Sequence, residues 1–139
     1  MRMKPSPAQA HPSRSLLVVE DDKASRDLLG LMIATKFPEV TIHYAEDGRA
    51  GLELFKRHTP FVVITDVNLP EMDGIQMATE IRVLKADTKL IVITAYSDRD
   101  YLEKFNRIGF DAYILKPIVF SKLFNAVEDC FAEAGMEPH

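Results

Sequence analysis

Five polar residues stand at the ends of apolar runs. Glu20 and Asp21 follow Ser15-Leu16-Leu17-Val18-Val19, Asp66 follows Phe61-Val62-Val63-Ile64-Thr65, Thr94 closes Lys89-Leu90-Ile91-Val92-Ile93, and Lys116 follows Asp111-Ala112-Tyr113-Ile114-Leu115. If these runs are parallel strands, all five side chains reach one edge of a sheet, the edge outside which open α/β sheets bind ligands. Three carboxylates brought together repel and raise their own pKa values unless a cation sits among them. A hard, oxygen-seeking ion such as Mg²⁺ answers that need. Lys116 adds a second positive charge and Thr94 a hydroxyl donor, so the set suits a tetrahedral oxyanion held against a carboxylate. An aspartate can itself attack phosphorus to form an aspartyl phosphate, while metal and lysine neutralise charge building on the equatorial oxygens. Each residue also has a plainer reading. Asp66 alone is a turn or N-cap aspartate, Thr94 a strand threonine, and Tyr113 a strand aromatic.

The elements that must position these residues alternate along the chain. Runs of four or five apolar residues rich in Val and Ile suit strands buried on both faces, as in parallel sheets. Between the first two strands, Ala24, Leu28, Leu29, Met32 and Ile33 recur at helical spacing from Lys23 to Lys36, where Phe37-Pro38 stops the helix, and Asp22 is placed to cap it. Val40 to Ala45 alternates as a strand nearer the edge does. Asp47-Gly48 reads as a turn into a helix carrying Leu52, Leu54 and Phe55. Pro70 and Asp73-Gly74 punctuate a loop before a helix with Ile75, Ala78, Ile81 and Leu84 on its inner side. A helix over about Asp98 to Arg107 carries Leu102 and Phe105 and ends before Gly109. The closing helix carries Phe120, Leu123, Phe124, Val127 and Phe131. Five strands alternating with five helices predict an α/β fold, a doubly wound parallel sheet with helices on both faces.

The 139 residues fit one domain, expected over 15–134 with a leader at 1–14 and a polar tail at 135–139. With 17 Lys plus Arg against 21 Asp plus Glu, the net charge of −4 carries no basic excess of the kind nucleic-acid binders show. No apolar run reaches the roughly 18 residues of a membrane span, and residues 1–15 have no apolar core of a signal peptide. The single Cys130 forms no internal disulfide and fits a reducing cytoplasm. Histidines at 11, 43, 58 and 139 lack metal-binding spacing.

Val18-Val19-Glu20-Asp21-Asp22, Asp66-Val67-Asn68-Leu69-Pro70 with Asp73-Gly74, Ile93-Thr94-Ala95 and Tyr113-Ile114-Leu115-Lys116-Pro117 occur in this order from about Leu16 to Phe131. In these pieces the chain resembles the receiver domain of bacterial two-component response regulators. The resemblance implies a flavodoxin-like receiver fold of strand order 2-1-3-4-5. It implies Asp66 as phosphoacceptor, with Mg²⁺ held by Asp21, Asp66 and the backbone carbonyl of Asn68, and with Glu20 acting largely through a metal-bound water. Thr94 and Tyr113 become a switch pair, Lys116 the phosphate-binding lysine, and Lys116-Pro117 a cis peptide. The implied protein is a signalling domain that catalyses its own phosphorylation and dephosphorylation rather than an enzyme with an external product. Its implied partners are a sensor histidine kinase or phosphotransfer protein on one side, and a phospho-dependent protein or fused output domain on the other. It switches through the surface of the fourth helix, fifth strand and fifth helix, and admits a phosphorylation-dependent homodimer.

Alternatives turn on single residues. Glu20-Asp21-Asp22 allows a one-residue slip in which Asp22 joins Asp21 at the site. A haloacid dehalogenase-like phosphotransferase needs an acid two residues beyond the nucleophile, where Asn68 stands. A pseudo-receiver working without phosphorylation would lack an acid or the lysine, and all are present. Asn68 and Tyr96, two residues beyond Asp66 and Thr94, would flank the mouth. The Tyr96 ring either lies over it and excludes water or points outward as a contact residue.

Overall fold

The computed structural model describes residues 14–69 and 74–133. The tail at 135–139, the leader apart from Arg14, and Pro70 and Asp73 lie outside the described residues. Five parallel strands, β1 (Ser15–Val19), β2 (Thr41–Ala45), β3 (Val62–Asp66), β4 (Lys89–Thr94) and β5 (Ala112–Leu115), form one sheet in the order β2-β1-β3-β4-β5. Helices α1 (Lys23–Lys36), α2 (Gly48–His58), α3 (Gly74–Leu84), α4 (Arg99–Ile108) and α5 (Phe120–Glu133) fill the crossovers. This is the flavodoxin-like receiver fold expected.

The central strands β1, β3 and β4 read as unbroken apolar runs because both faces are covered. Leu16, Val18, Ile64, Ile91 and Ile93 face a core completed by Leu29 and Ile33 of α1 and Leu123, Val127 and Phe131 of α5. Leu17, Val19, Val63, Leu90 and Val92 face the other side, toward Leu52 and Phe55 of α2, Met77 and Ile81 of α3, and Phe105 of α4. Cys130 lies in the first core, 2% exposed, and burial pushes its thiol up to about 12. Among the described residues no helix is long and apolar enough to cross a membrane.

Local signals set the helix ends. Asp22 accepts the Ser25 N–H at 2.9 Å and caps α1, while Asp47 accepts the Ala50 N–H at 2.8 Å and caps α2, a role beyond the simple turn expected of Asp47-Gly48. Gly109 follows α4 with φ 95°, where a side chain would be strained. Helical spacing selects the inner faces less well. Leu84 stands 53% exposed at the end of α3 and Leu28 48% exposed on α1, whereas Met77 is fully buried. Ala24 is exposed as well. A 3.6-residue period defines a stripe, and only the neighbouring elements decide where its rim meets solvent.

Two contacts had no counterpart in the sequence patterns. His43 on the outer strand β2 stacks on His58, the last residue of α2, with ring centroids 4.0 Å apart and planes 12° from parallel. Burial, with repulsion from His58, holds His43 below the usual histidine range. At the sheet edge remote from the strand carboxyl ends, the Arg82 guanidinium donates to the carbonyls of Ala86, Thr88 and Gly109, tying the loop before β4 to the end of α4.

Candidate functional site

Asp66 ends β3 with 4% exposure, and two donors fix its carboxylate. Its Oδ1 accepts the Asn68 N–H at 3.0 Å, and its Oδ2 accepts from Lys116 Nζ at 2.6 Å. The ammonium reaches it from β5 because the Lys116 N–H donates to the Thr94 carbonyl at 2.8 Å, extending the β4–β5 ladder past the last strand residue. The Lys116-Pro117 bond is cis. Gly74 opens α3 so close to β3 that a Cβ there would stand 2.9 Å from the Asp66 carbonyl, hence glycine at this crossing.

Glu20 and Asp21 follow β1 in a loop held from two sides. The Glu20 N–H donates to the Ala45 carbonyl at 3.0 Å, and Arg26 of α1 donates to the carbonyls of Glu20 at 2.9 Å and Asp21 at 3.5 Å. Arg26 belongs to none of the sequence motifs, although its place four residues after the Asp22 cap puts it one turn above this loop. Glu20 is 3% exposed, and its Oε2 accepts the Asp22 N–H at 3.0 Å. Glu20, Asp21 and Asp66 offer oxygens all within 4.8 Å of one another, the group among the described residues able to hold a metal ion. Asp22 is occupied as the α1 cap, and Glu20 rather than Asp22 joins Asp21 and Asp66 in the cluster.

Charge is unbalanced in this cluster. Burial, together with the neighbouring Asp21 and Asp66 carboxylates, raises Glu20 from 4.5 to about 7. Burial works to lower Lys116, but its hydrogen bond to Asp66 and attraction to Asp66, Glu20 and Asp98 outweigh it and hold the ammonium above the usual lysine range. One ammonium against three carboxylates leaves room for a further cation, and an all-oxygen donor set suits a hard divalent one.

A stability test arises directly. The folded chain resists ionising Glu20 while the unfolded chain does not, so the contribution is intact below pH 4.5 and is lost as pH rises through about 7. A shift of this size corresponds to at most about 3 kcal/mol, and with solvent reaching Asp21 beside it roughly 1–2 kcal/mol is expected. Glu20→Gln is therefore expected to be more stable than wild type by that amount at pH 8 in EDTA and nearly equal at pH 5. Urea unfolding at both pH values checks it. Parallel pH dependences for the two proteins would reject the assignment.

The expected switch residues stand apart from this cluster. Thr94 is 1% exposed, yet its hydroxyl donates to the Ala95 carbonyl at 3.3 Å. Tyr113 is 55% exposed, with its ring edge-on to Phe110 at 6.1 Å. The Asn68 side chain is exposed and the Tyr96 ring is 76% exposed. Beside the site, a groove of about 660 Å³ runs between β5 and α5, lined by Tyr113, Leu115, Pro117, Val119, Lys122 and Asn125 among others.

Comparison with known proteins bears on this arrangement. Residues 16–128 match the family model described as response regulator receiver domain. Transcriptional regulatory protein PdtaR of Mycobacterium tuberculosis is 37% identical over 121 residues, which make up 87% of this chain and 58% of that protein. The chain thus spans little more than half of that relative's length. The N-terminal domain of an uncharacterized protein from Wolinella succinogenes superposes with a TM-score of 0.80 at 34% identity, covering 86% of this chain and 95% of that one. A response regulator receiver domain protein from Clostridium thermocellum gives a TM-score of 0.81 at 21% identity, over 87% of this chain and 96% of that one, a likeness of fold.

Proposed function

The chain belongs to the response regulator receiver domain family, and from that premise we propose that Asp66 accepts a phosphoryl group in a Mg²⁺-dependent reaction that resets the surface formed by α4, β5 and α5. The observation that carries this is the 2.6 Å contact of Lys116 Nζ with Asp66 Oδ2 beside two further carboxylates. The proposed unit spans 15–134.

Asp66 is the nucleophile. Its carboxylate is held by the Asn68 N–H and by Lys116, so one oxygen can attack phosphorus in line with the donor's leaving oxygen. With acetyl phosphate, the bond from phosphorus to the acetyl oxygen breaks, a bond from phosphorus to the Asp66 oxygen forms, and acetate departs. Lys116 then follows the charge from the carboxylate to the phosphoryl oxygens. Glu20, Asp21, Asp66 and the Asn68 carbonyl are the groups that would hold Mg²⁺, Glu20 through a water. When bound, the ion would supply the positive charge the cluster lacks. Thr94 turns its hydroxyl from the Ala95 carbonyl toward the new oxyanion, and Tyr113 leaves its exposed position for the space vacated. Exposed Tyr113, Leu115 and Val119 give the β5–α5 groove the apolar character of a protein-binding surface. The partners proposed are a sensor histidine kinase or phosphotransfer protein as donor, and a phospho-dependent protein, output domain or second copy as receiver, in the cytoplasm.

The test is phosphorylation of the purified chain by acetyl phosphate or phosphoramidate, followed by mass spectrometry of intact protein and peptides. One labile adduct on the peptide carrying Asp66 is expected with Mg²⁺ and none in EDTA. Equal labelling in EDTA, or an adduct elsewhere, would refute the proposal.

A further inference from the structure

Arg26 is the one partly buried residue in the exposed run from Asp21 to Leu28. Its side chain turns back along α1, and Nη1 donates to two successive carbonyls, that of Glu20 at 2.9 Å and, as a longer and weaker bond, that of Asp21 at 3.5 Å. A cation gains nothing from its helix at this place, close to the positive end of α1 where Asp22 caps it. The two loop carbonyls are what the guanidinium gains there.

Those carbonyls belong to the peptide units on either side of the Asp21 Cα. Because each peptide unit is planar, anchoring both sets φ and ψ of Asp21, and with them the direction in which its carboxylate leaves the chain. The other two acids of the cluster are held at their carboxylates. Asp66 Oδ1 accepts the Asn68 N–H, and Glu20 Oε2 accepts the Asp22 N–H. Asp21 is exposed, and Arg26 holds it through its backbone.

We propose that Arg26 is a positioning residue for divalent-cation binding: by pinning the Glu20 and Asp21 carbonyls it keeps a carboxylate oxygen of Asp21 within 4.8 Å of those of Glu20 and Asp66, and so raises the affinity of the cluster for Mg²⁺. This inference rests on the reading of those three acids as Mg²⁺ ligands. Three carboxylates without an ion repel one another, and an unpinned loop relaxes by swinging Asp21 outward, which each binding event must then reverse. In a pinned loop that cost is met in folding, and binding is spared it. The positive charge of Arg26 opposes the ion, but between groups in contact with water such repulsion is small. The hold on the loop therefore prevails.

Calorimetric titration with Mg²⁺ reads the affinity, and acetyl phosphate uptake over a series of Mg²⁺ concentrations reads the rate. Arg26→Ala is expected to bind Mg²⁺ about tenfold more weakly than wild type, the scale on which groups that orient metal ligands act. At saturating Mg²⁺ its uptake rate should return to within about twofold of wild type, because a lost positioning group acts on binding rather than on the transfer step. Arg26→Lys keeps the charge on a shorter, more flexible stem and should bind about threefold more weakly than wild type. A residue serving the fold alone would lower the melting temperature in EDTA and leave the dissociation constant of the folded protein unchanged. Absence of Mg²⁺ binding by wild type would defeat the reading of the three acids. If wild type binds but Arg26→Ala binds equally well or more tightly, the positioning role alone fails. Failure of both variants to fold would overturn it too, by making Arg26 a structural residue.

Discussion

Asp66→Asn is expected to lose phosphoryl uptake from small donors by at least roughly a thousandfold, to below detection, while remaining folded. Removal of a nucleophile acts on that scale, because no neighbouring group can substitute. Glu20 is buried and resists ionisation, and Asp21 lacks the ammonium that Asp66 has at 2.6 Å. The carboxamide still accepts the Asn68 N–H, and one of three mutually repelling carboxylates becomes neutral, so the fold is not endangered. Phosphate-affinity electrophoresis after acetyl phosphate treatment reads the uptake, and circular dichroism the fold. An adduct of normal yield on the folded variant would exclude Asp66 as acceptor.

Lys116→Ala is expected to slow uptake about a hundredfold, the effect of deleting one group that stabilises developing oxyanion charge. The same change strips a nearly buried carboxylate of its ammonium. Breaking a buried pair costs roughly 3–5 kcal/mol, but Lys116 is 38% exposed, so about 1–2 kcal/mol of metal-free stability should be lost. Saturating Mg²⁺ should return most of that stability without restoring the rate. Lys116→Arg should recover the stability more fully than the rate, since a planar guanidinium cannot occupy a point 2.6 Å from Asp66 Oδ2 as an ammonium does. A rate unchanged in Lys116→Ala would show that the ammonium plays no part in the transfer.

The strand ends were legible in the sequence because burial on both faces writes a strand as an unbroken run, and the first polar residue after each run marks the edge where ligands bind. Glu20, Asp66 and Lys116 are found by that rule and Asp21 is the acid next to Glu20, and the structure brings all four together. The caps at Asp22 and Gly109 were legible for a similar reason, since each answers a backbone demand made within one turn. Contacts that join distant segments left no such mark. Arg82 donates to Gly109, 27 residues away, and no spacing announces it. The His43–His58 stack depends on how α2 crosses β2. Thr94 and Tyr113 could be named from the resemblance, but no spacing in the sequence sets the Thr94 hydroxyl on the Ala95 carbonyl or the Tyr113 ring edge-on to Phe110.

Cys130 makes the chain a convenient optical and magnetic reporter of its own motion. The sole thiol lies on the inner face of α5 and is both sealed from solvent and protonated far above neutrality. Reagents that require a thiolate will pass it by on the timescale of surface labelling. A cysteine introduced at exposed Tyr96 or Val119 can then carry a dye or spin label without any background substitution. The native thiol, modified only when α5 lifts from the sheet, becomes a slow clock for that opening, readable in the same sample before and after a phosphodonor is added.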